Sequence, residues 1–139
     1  MALLGGKIVP GLGVGSEIIK DYLTIFKREL KMDIFPGTLN LQLEKDFDAE
    51  RPKPTSSVSN HTSASTIYWD GYIQPFTKPD GTKRGGVWYL RAKVKNFPIF
   101  VIRPELTRHP KNIIEIISPI NIRKQYGLKD GDFLEVNIL

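Results

Sequence analysis

Short strand-like segments, each bounded by turn-forming residues, recur along the whole chain. The clearest runs from Thr38 to Leu43, where leucines alternate with polar residues. This period of two indicates a strand with one face in an apolar core, so Thr38 and Asn40 should point away from that core. Similar segments lie at residues 4–9, 66–76, 86–94, 99–102, 113–117 and 133–138. Because strands and helices do not alternate regularly, the pattern predicts a mostly β fold, a six- to seven-stranded barrel with Greek-key-like crossings.

Two helices accompany this predicted barrel. The main helix spans Glu17 to Leu30, with Ser16 as a candidate N-cap. Its apolar residues recur at the spacing of an amphipathic helix. They are Ile18, Ile19, Tyr22, Leu23, Phe26 and Leu30. A short helix is predicted from Ile120 to Tyr126 and a hairpin turn at residues 78–82, whereas the stretch 50–65, rich in Pro, Ser and Thr, predicts a long loop.

Composition limits the class of protein. The chain has 139 residues, and we expect one domain over residues 1–139. It has no cysteine, which excludes disulfides and thiolate metal sites, and no apolar run approaches the roughly 18 residues of a membrane span. A net charge of +5 favours anionic partners, which include nucleotides as well as nucleic acid, but the basic residues are scattered along the chain and form no basic stripe. We therefore expect a cytoplasmic monomer without a membrane or nucleic-acid partner.

A glycine-rich segment follows the first predicted strand and precedes the main helix. It reads Gly11-Leu12-Gly13-Val14-Gly15. Glycine lets backbone N–H groups approach a phosphate closely because no Cβ intrudes, and a following helix N-terminus favours an anion. An ordinary strand-to-helix turn has the same composition. The segment is therefore a candidate phosphate site, to be weighed together with the other motifs.

Thr38 and Asn40 form a second candidate site, directly after the turn at Pro36-Gly37. Because they lie two residues apart on a strand, they project to the same side. Their neutral oxygens suit Mg²⁺, which completes its shell with water and nucleotide phosphates. The alternative is an ordinary polar outer face of a strand. Together with the glycine-rich segment, the pair predicts a phosphoryl-transfer site that is neither a Walker loop nor a protein-kinase loop.

Four segments carry a resemblance to a known family. They are 11–15, 35–41 (Phe-Pro-Gly-Thr-Leu-Asn-Leu), 113–119 (Ile-Ile-Glu-Ile-Ile-Ser-Pro) followed by Ile122-Arg123, and 128–132 (Leu-Lys-Asp-Gly-Asp). In this order and at these spacings they resemble the archaeal CTP-dependent riboflavin kinases. The resemblance implies a cradle-loop β-barrel that uses Mg²⁺ and transfers the terminal phosphoryl group of CTP to riboflavin, giving FMN and CDP.

The resemblance also implies roles for individual residues. Thr38 and Asn40 would ligate Mg²⁺, and Thr107 and Glu115 would hold the flavin. The residues around the nucleotide phosphates would be Gly11, Leu12, Gly13, Val14, Gly15, Ser16 and Glu17. The cytidine nucleotide would also be bound by Ile120, Asn121, Ile122 and Arg123.

Glu115 lies within a run of isoleucines, where a buried carboxylate is costly unless it is paired. It could accept hydrogens from the flavin, act as the general base for the ribityl 5′-hydroxyl, or simply face solvent. The residues do not identify the base, so Glu115 is a candidate and the catalytic residue stays unknown. Arg123 could bridge a phosphate or cap the end of its helix.

The other polar and aromatic residues have structural interpretations. Asp130 and Asp132 are typical of a turn. His61 and His109 lack metal-ligand spacing, so the two histidines are interpreted as bystanders. Five aromatic residues predict core and hairpin packing or, alternatively, an apolar wall against the flavin ring. They are Tyr68, Trp69, Tyr72, Trp88 and Tyr89.

Two other functions stay open from the sequence. One is a non-catalytic small barrel that binds nucleotide, flavin or nucleic acid, as basic small barrels do. The other is a relative of the kinases that has lost activity, because Val14 and Ser16 stand where a charged residue is frequent in the family.

Overall fold

The computed structural model describes residues 2–11, 15–50 and 66–139, and its longer strands form one sheet that closes on itself. In chain order the elements are β1 (Ala2–Val9), α1 (Gly15–Lys20), α2 (Leu23–Leu30), β2 (Leu39–Leu43), β3 (Gly71–Ile73), β4 (Phe76–Thr77), β5 (Lys83–Arg84), β6 (Val87–Val94), β7 (Phe97–Pro104), β8 (Ile113–Ile117), α3 (Ile122–Tyr126) and β9 (Phe133–Ile138). Among them, no helix has the length and apolarity needed to cross a membrane.

Closure of the sheet makes a six-stranded antiparallel barrel. The strand order is β3-β6-β7-β8-β2-β1-β9, and β9 also pairs with β6, through Ala92 with Ile138 and Lys93 with Asn137. β3 extends the sheet beside β6, and β4 pairs with β5 in a separate two-stranded ribbon. A closed barrel leaves few free strand edges. The prediction of a mostly β barrel with non-consecutive strand neighbours is confirmed.

Two apolar cores lie on opposite faces of this barrel wall. The inner core takes alternate residues of the strands, as the leucines of β2 predict, and Leu41 and Ile114 are fully buried partners within it. The outer core lies between the barrel and the helices, where Phe26 of α2 packs with Ile102 of β7 and Ile117 of β8. Strand side chains that point away from the inner core are therefore not all exposed to solvent, because some of them are buried beneath the helices.

The predicted main helix is divided into two, so a single helix over Glu17–Leu30 is wrong. The break falls at Asp21 and Tyr22, whose backbone N–H groups donate to the carbonyls three residues earlier, at 3.1 and 2.9 Å. Both side chains there bond to the β4–β5 ribbon. The apolar period continues through the break, so periodicity alone could not reveal it. Ser16 lies within α1 rather than at its N-cap.

The remaining predictions differ in accuracy. The segments 113–117 and 133–138 are β8 and β9, and the hairpin turn at 78–82 joins β4 to β5. The predicted strand at 66–76 is instead the short β3 and β4, and the one at 99–102 extends to the whole of β7. The short helix begins at Ile122, with Asn121 as its N-cap. Most of the loop predicted at 50–65 lies outside the described residues.

Candidate active site

A cavity of about 320 Å³ lies between α1, the β4–β5 ribbon and the outer face of the barrel. We call it the helix cavity. One wall is apolar and is formed by Ile18, Ile19, Tyr22, Val87, Ile102 and Leu106. The remaining lining includes Gly11, Thr38, Asn40, Thr107 and Glu115, and we call this part the polar end. A cavity with an apolar wall and a few convergent polar groups is typical of a small-molecule site.

The polar end is built by the pairing of β2 with β8. Asn40 lies opposite Glu115 in this ladder, so their Cβ atoms are about 5 Å apart on the same face. Leu39 and Leu41, the neighbours of Asn40, point into the inner core. The same alternation that buries the leucines therefore brings an amide and a carboxylate together beneath the helices.

Glu115 accepts a hydrogen bond from the Thr107 hydroxyl, with 3.4 Å between Oγ1 and Oε2. Thr107 Oγ1 in turn accepts from the backbone N–H of His109, at 3.2 Å. Burial raises the pKa of Glu115 to about 7, although the Thr107 bond and the charge of Arg103 act in the opposite direction. The carboxyl group therefore exchanges its proton near neutral pH, which suits acid–base chemistry.

The side-chain amide of Asn40 is buried, and its carbonyl oxygen is available to bind a ligand. Its side chain is buried, with 4% exposure, and Oδ1 has no hydrogen-bond partner among the described residues. An unpaired buried carbonyl is costly, so its retention favours a function at this position. A Cβ on Gly11 would lie 3.0 Å from Asn40 Nδ2, so the start of the glycine-rich segment reaches this amide.

A second, smaller cavity of about 170 Å³ also has Thr38 in its lining. We call it the α3 cavity. It is lined by the turn before β2, the end of β8 and the segment that leads into α3, with Ile120, Asn121, Ile122 and Arg123. Gly37, in the turn, has a φ of 146°, a conformation that other residues rarely adopt. Thr38 is in the lining of both cavities, and we call this shared position their junction.

Arg123 connects three elements beside the α3 cavity. Its Nη2 donates to the Val9 carbonyl at the end of β1, at 3.4 Å, and pairs with Asp130 Oδ1 at 2.7 Å. Asp132 closes the next turn by accepting from Lys129 N–H, at 2.9 Å. Asp132 therefore has the predicted turn role, whereas Asp130 also holds Arg123 in place.

Comparison with known proteins identifies the family. The model of the CTP-dependent riboflavin kinase family, described as "Domain of unknown function DUF120", matches residues 8–138. The chain belongs to this family. A riboflavin kinase of Staphylothermus marinus is 35% identical over 135 residues, covering 97% of this chain and 90% of that protein. Riboflavin kinases of Pyrobaculum aerophilum and Methanocella arvoryzae are 35% and 33% identical, and the chain spans 59% and 56% of their lengths.

Many of the site residues implied by the resemblance to riboflavin kinases line the two cavities. Thr38, Asn40, Thr107 and Glu115 line the helix cavity with Gly11, and the segment from Ile120 to Arg123 lines the α3 cavity. Glu17 lies in neither cavity and forms an exposed ion pair with Lys20. Gly15 and Ser16 begin α1. Leu12, Gly13 and Val14 lie outside the described residues.

Other residues of the site were missed. His109, interpreted as a bystander, lines the helix cavity beside Thr107, and burial lowers its pKa. Tyr22 forms part of the apolar wall, although its helical spacing predicted only core packing. None of these positions has a sequence signal of its own, because strand pairing and the break between α1 and α2 bring them to the cavity. His61 lies outside the described residues.

The aromatic residues of the middle segment mainly pack against one another and against the core. Trp69 is buried in the inner core, edge-on to Phe47 with 6.5 Å between ring centroids. Tyr72 and Trp88 lie on paired strands with centroids 4.5 Å apart. Tyr89 is edge-on to Phe100. Among the described residues, the apolar wall is formed instead by α1, Tyr22, Val87 and β7.

The half-buried carboxyl group of Glu115 should lower stability at alkaline pH. Its pKa is about 7 in the folded protein, against an ordinary value of 4.5, so ionisation opposes folding increasingly as the pH rises between these values. Glu115→Gln should raise the free energy of unfolding by on the order of 3 kcal/mol at pH 8, and by nothing measurable below about pH 4.5.

Urea unfolding of wild type and variant at several pH values measures this difference. Glu135→Gln, at an exposed position of β9, is the matched control and should leave stability unchanged at every pH. A Glu115→Gln effect that does not vary with pH would contradict the burial of an ionising carboxyl group.

Proposed function

We propose that this chain is a riboflavin kinase that transfers the terminal phosphoryl group of CTP to the ribityl 5′-hydroxyl of riboflavin, giving FMN and CDP. The observation that carries the proposal is the junction of the two cavities at Thr38, beside the buried Asn40 carbonyl, which has no hydrogen-bond partner in the described part of the chain. Donor and acceptor could each occupy one cavity and meet at this junction. Membership of the family supports both the reaction and the donor.

The helix cavity suits the flavin. Its apolar wall would bury the ring system, with the phenol ring of Tyr22 as the aromatic contribution. At the polar end, Thr107 and Glu115 would hold polar groups of the flavin by hydrogen bonds. This arrangement would direct the ribityl chain towards Thr38 and Asn40, where phosphoryl transfer would occur.

The α3 cavity suits the nucleotide. Asn121, Ile122 and Arg123 would contact the cytidine part, and the glycine-rich segment from Gly11 to Glu17 would surround the phosphates through backbone N–H groups. Arg123 is already bound to β1 just before that segment, so it could position the phosphate loop as well as the nucleotide. The preference for CTP over ATP depends on the family resemblance and the name of the matching family model.

The residues at the junction fit a magnesium ion. Thr38, at the junction, and Asn40, in the helix cavity, would supply neutral oxygens, and Mg²⁺ takes its remaining ligands from water and phosphate. When bound, the ion would neutralise charge on the nucleotide phosphates. The occupied site would also give a partner to the buried Asn40 Oδ1, which has none among residues 2–11, 15–50 and 66–139.

Glu115 is the candidate general base for this reaction. In the proposed step the 5′-hydroxyl oxygen attacks the terminal phosphorus, the bond to the bridging oxygen of CDP breaks, and Glu115 accepts the hydroxyl proton. A carboxyl group with a pKa of about 7 is well matched to that proton transfer at neutral pH.

Formation of FMN by the purified chain tests the proposed function. Given riboflavin, Mg²⁺ and either CTP or ATP, the protein should form FMN and CDP with CTP and little product with ATP. Equal rates with both donors would support the proposed kinase activity and contradict the proposed preference for CTP. A folded protein that forms no FMN with either donor would contradict the proposal and favour a non-catalytic barrel that binds nucleotide, flavin or nucleic acid.

Loss of either proposed metal ligand should stop turnover without unfolding the barrel. Thr38→Ala and Asn40→Ala should each lower kcat at least about 100-fold, because charge neutralisation is the main contribution to phosphoryl transfer. Asn137→Ala, at an exposed position of β9, is the matched control and should retain wild-type activity. Assays over a range of Mg²⁺ concentrations, with circular dichroism for folding, measure the effect. Near-normal rates in both site variants would refute the metal assignment.

A further inference from the structure

The break between α1 and α2 is bonded to the β4–β5 ribbon by a compact ion-pair cluster. Asp21 Oδ2 accepts from Arg84 Nε at 2.7 Å, and its Oδ1 lies 3.2 Å from Lys78 Nζ. The side chains are only 17%, 23% and 30% exposed for Asp21, Arg84 and Lys78 respectively. Ion pairs at this depth are screened less by solvent than those on an open surface.

Tyr22 strengthens the same attachment of the β4–β5 ribbon to the break between α1 and α2. Its hydroxyl donates to the Gly85 carbonyl at 2.7 Å, and its ring lies edge-on to Phe76 of β4 with 5.2 Å between centroids. The ribbon is therefore attached on both strands to two consecutive residues of the break. Tyr22, Arg84 and Gly85 line the helix cavity, whereas Asp21 and Lys78 are not among its lining residues.

The attachment of the ribbon to the break determines whether the helix cavity has a closed wall. Within the sheets, β4 and β5 pair only with each other, so the ribbon is attached to the rest of the protein by side-chain contacts, among them Phe76 against the outer core. Without Asp21, Arg84 would lose its charged partner, and the ribbon would be held at the break by Tyr22 without the ion pairs. That side of the cavity would then open to water more often, and a bound apolar ring would be less buried.

We propose that Asp21 is a positioning residue for the acceptor substrate: by holding Arg84 and the ribbon against α1, it closes the cavity wall and raises affinity for riboflavin. The inference rests on the proposed function. Because no residue of the ribbon lines the α3 cavity, the effect should fall on the flavin and not on the nucleotide. A general loss of stability is not expected to change the affinity for riboflavin while it leaves the affinity for the nucleotide unchanged.

Asp21→Asn tests this role, because it removes the charge and preserves the size of the side chain. We expect the KM for riboflavin to rise about tenfold while the KM for CTP changes less than about twofold. Asp21→Glu, which keeps the carboxylate, should restore much of the riboflavin affinity. Lys78→Gln, which removes one partner outside the cavity, should give a smaller increase and provides a milder variant if Asp21→Asn folds poorly.

Asp33→Asn is the matched control, because it breaks the exposed Lys27–Asp33 pair, in which Asp33 is 83% exposed, and should leave both KM values unchanged. Riboflavin affinity is also measured without turnover, by quenching of flavin fluorescence. Absence of FMN formation by the wild type would overturn the proposed function. Equal riboflavin affinities of wild type, Asp21→Asn and Lys78→Gln, or equal increases of KM for both substrates, would overturn the role of Asp21.

Discussion

The antiparallel pairing of β2 with β8 determines both the core and the candidate site. In this register Leu41 faces Ile114 inside the barrel, and Asn40 faces Glu115 outside it. Because strand side chains alternate, a shift of one residue would place the amide and carboxylate in the inner core and the leucines beneath the helices. The apolar core therefore enforces the register, and the register places the polar pair where two cavities meet.

This arrangement has a cost in stability that a purely structural barrel would avoid. The Asn40 carbonyl is buried without a partner among the described residues, and burial raises the pKa of Glu115 to about 7. Apolar residues at both positions would extend the outer core formed by Phe26, Ile102 and Ile117. Polar groups held in an unfavourable environment are characteristic of binding and catalytic sites, and here they lie together on one face.

Much of the barrel and the centre of the site could be predicted from local patterns. The alternation in β2 and the isoleucine run of β8 identify both strands and place Asn40 and Glu115 on their outer faces. The break at Asp21 and Tyr22 could not be predicted, because the apolar period continues through it and its cause is a contact with Arg84, 63 residues away. His109 was missed for a similar reason, since the loop after β7 brings it to the cavity.

The most direct test of this account locates a divalent cation on the protein. With Mn²⁺ in place of Mg²⁺ and CDP present, paramagnetic broadening of backbone amide signals in NMR reports which residues lie near the ion. The account predicts the strongest broadening at Thr38, Asn40 and Glu115, and its loss in Asn40→Ala. Broadening centred elsewhere, for example on the exposed acidic residues Glu44 and Asp46, would contradict a phosphoryl-transfer site at the junction of the two cavities.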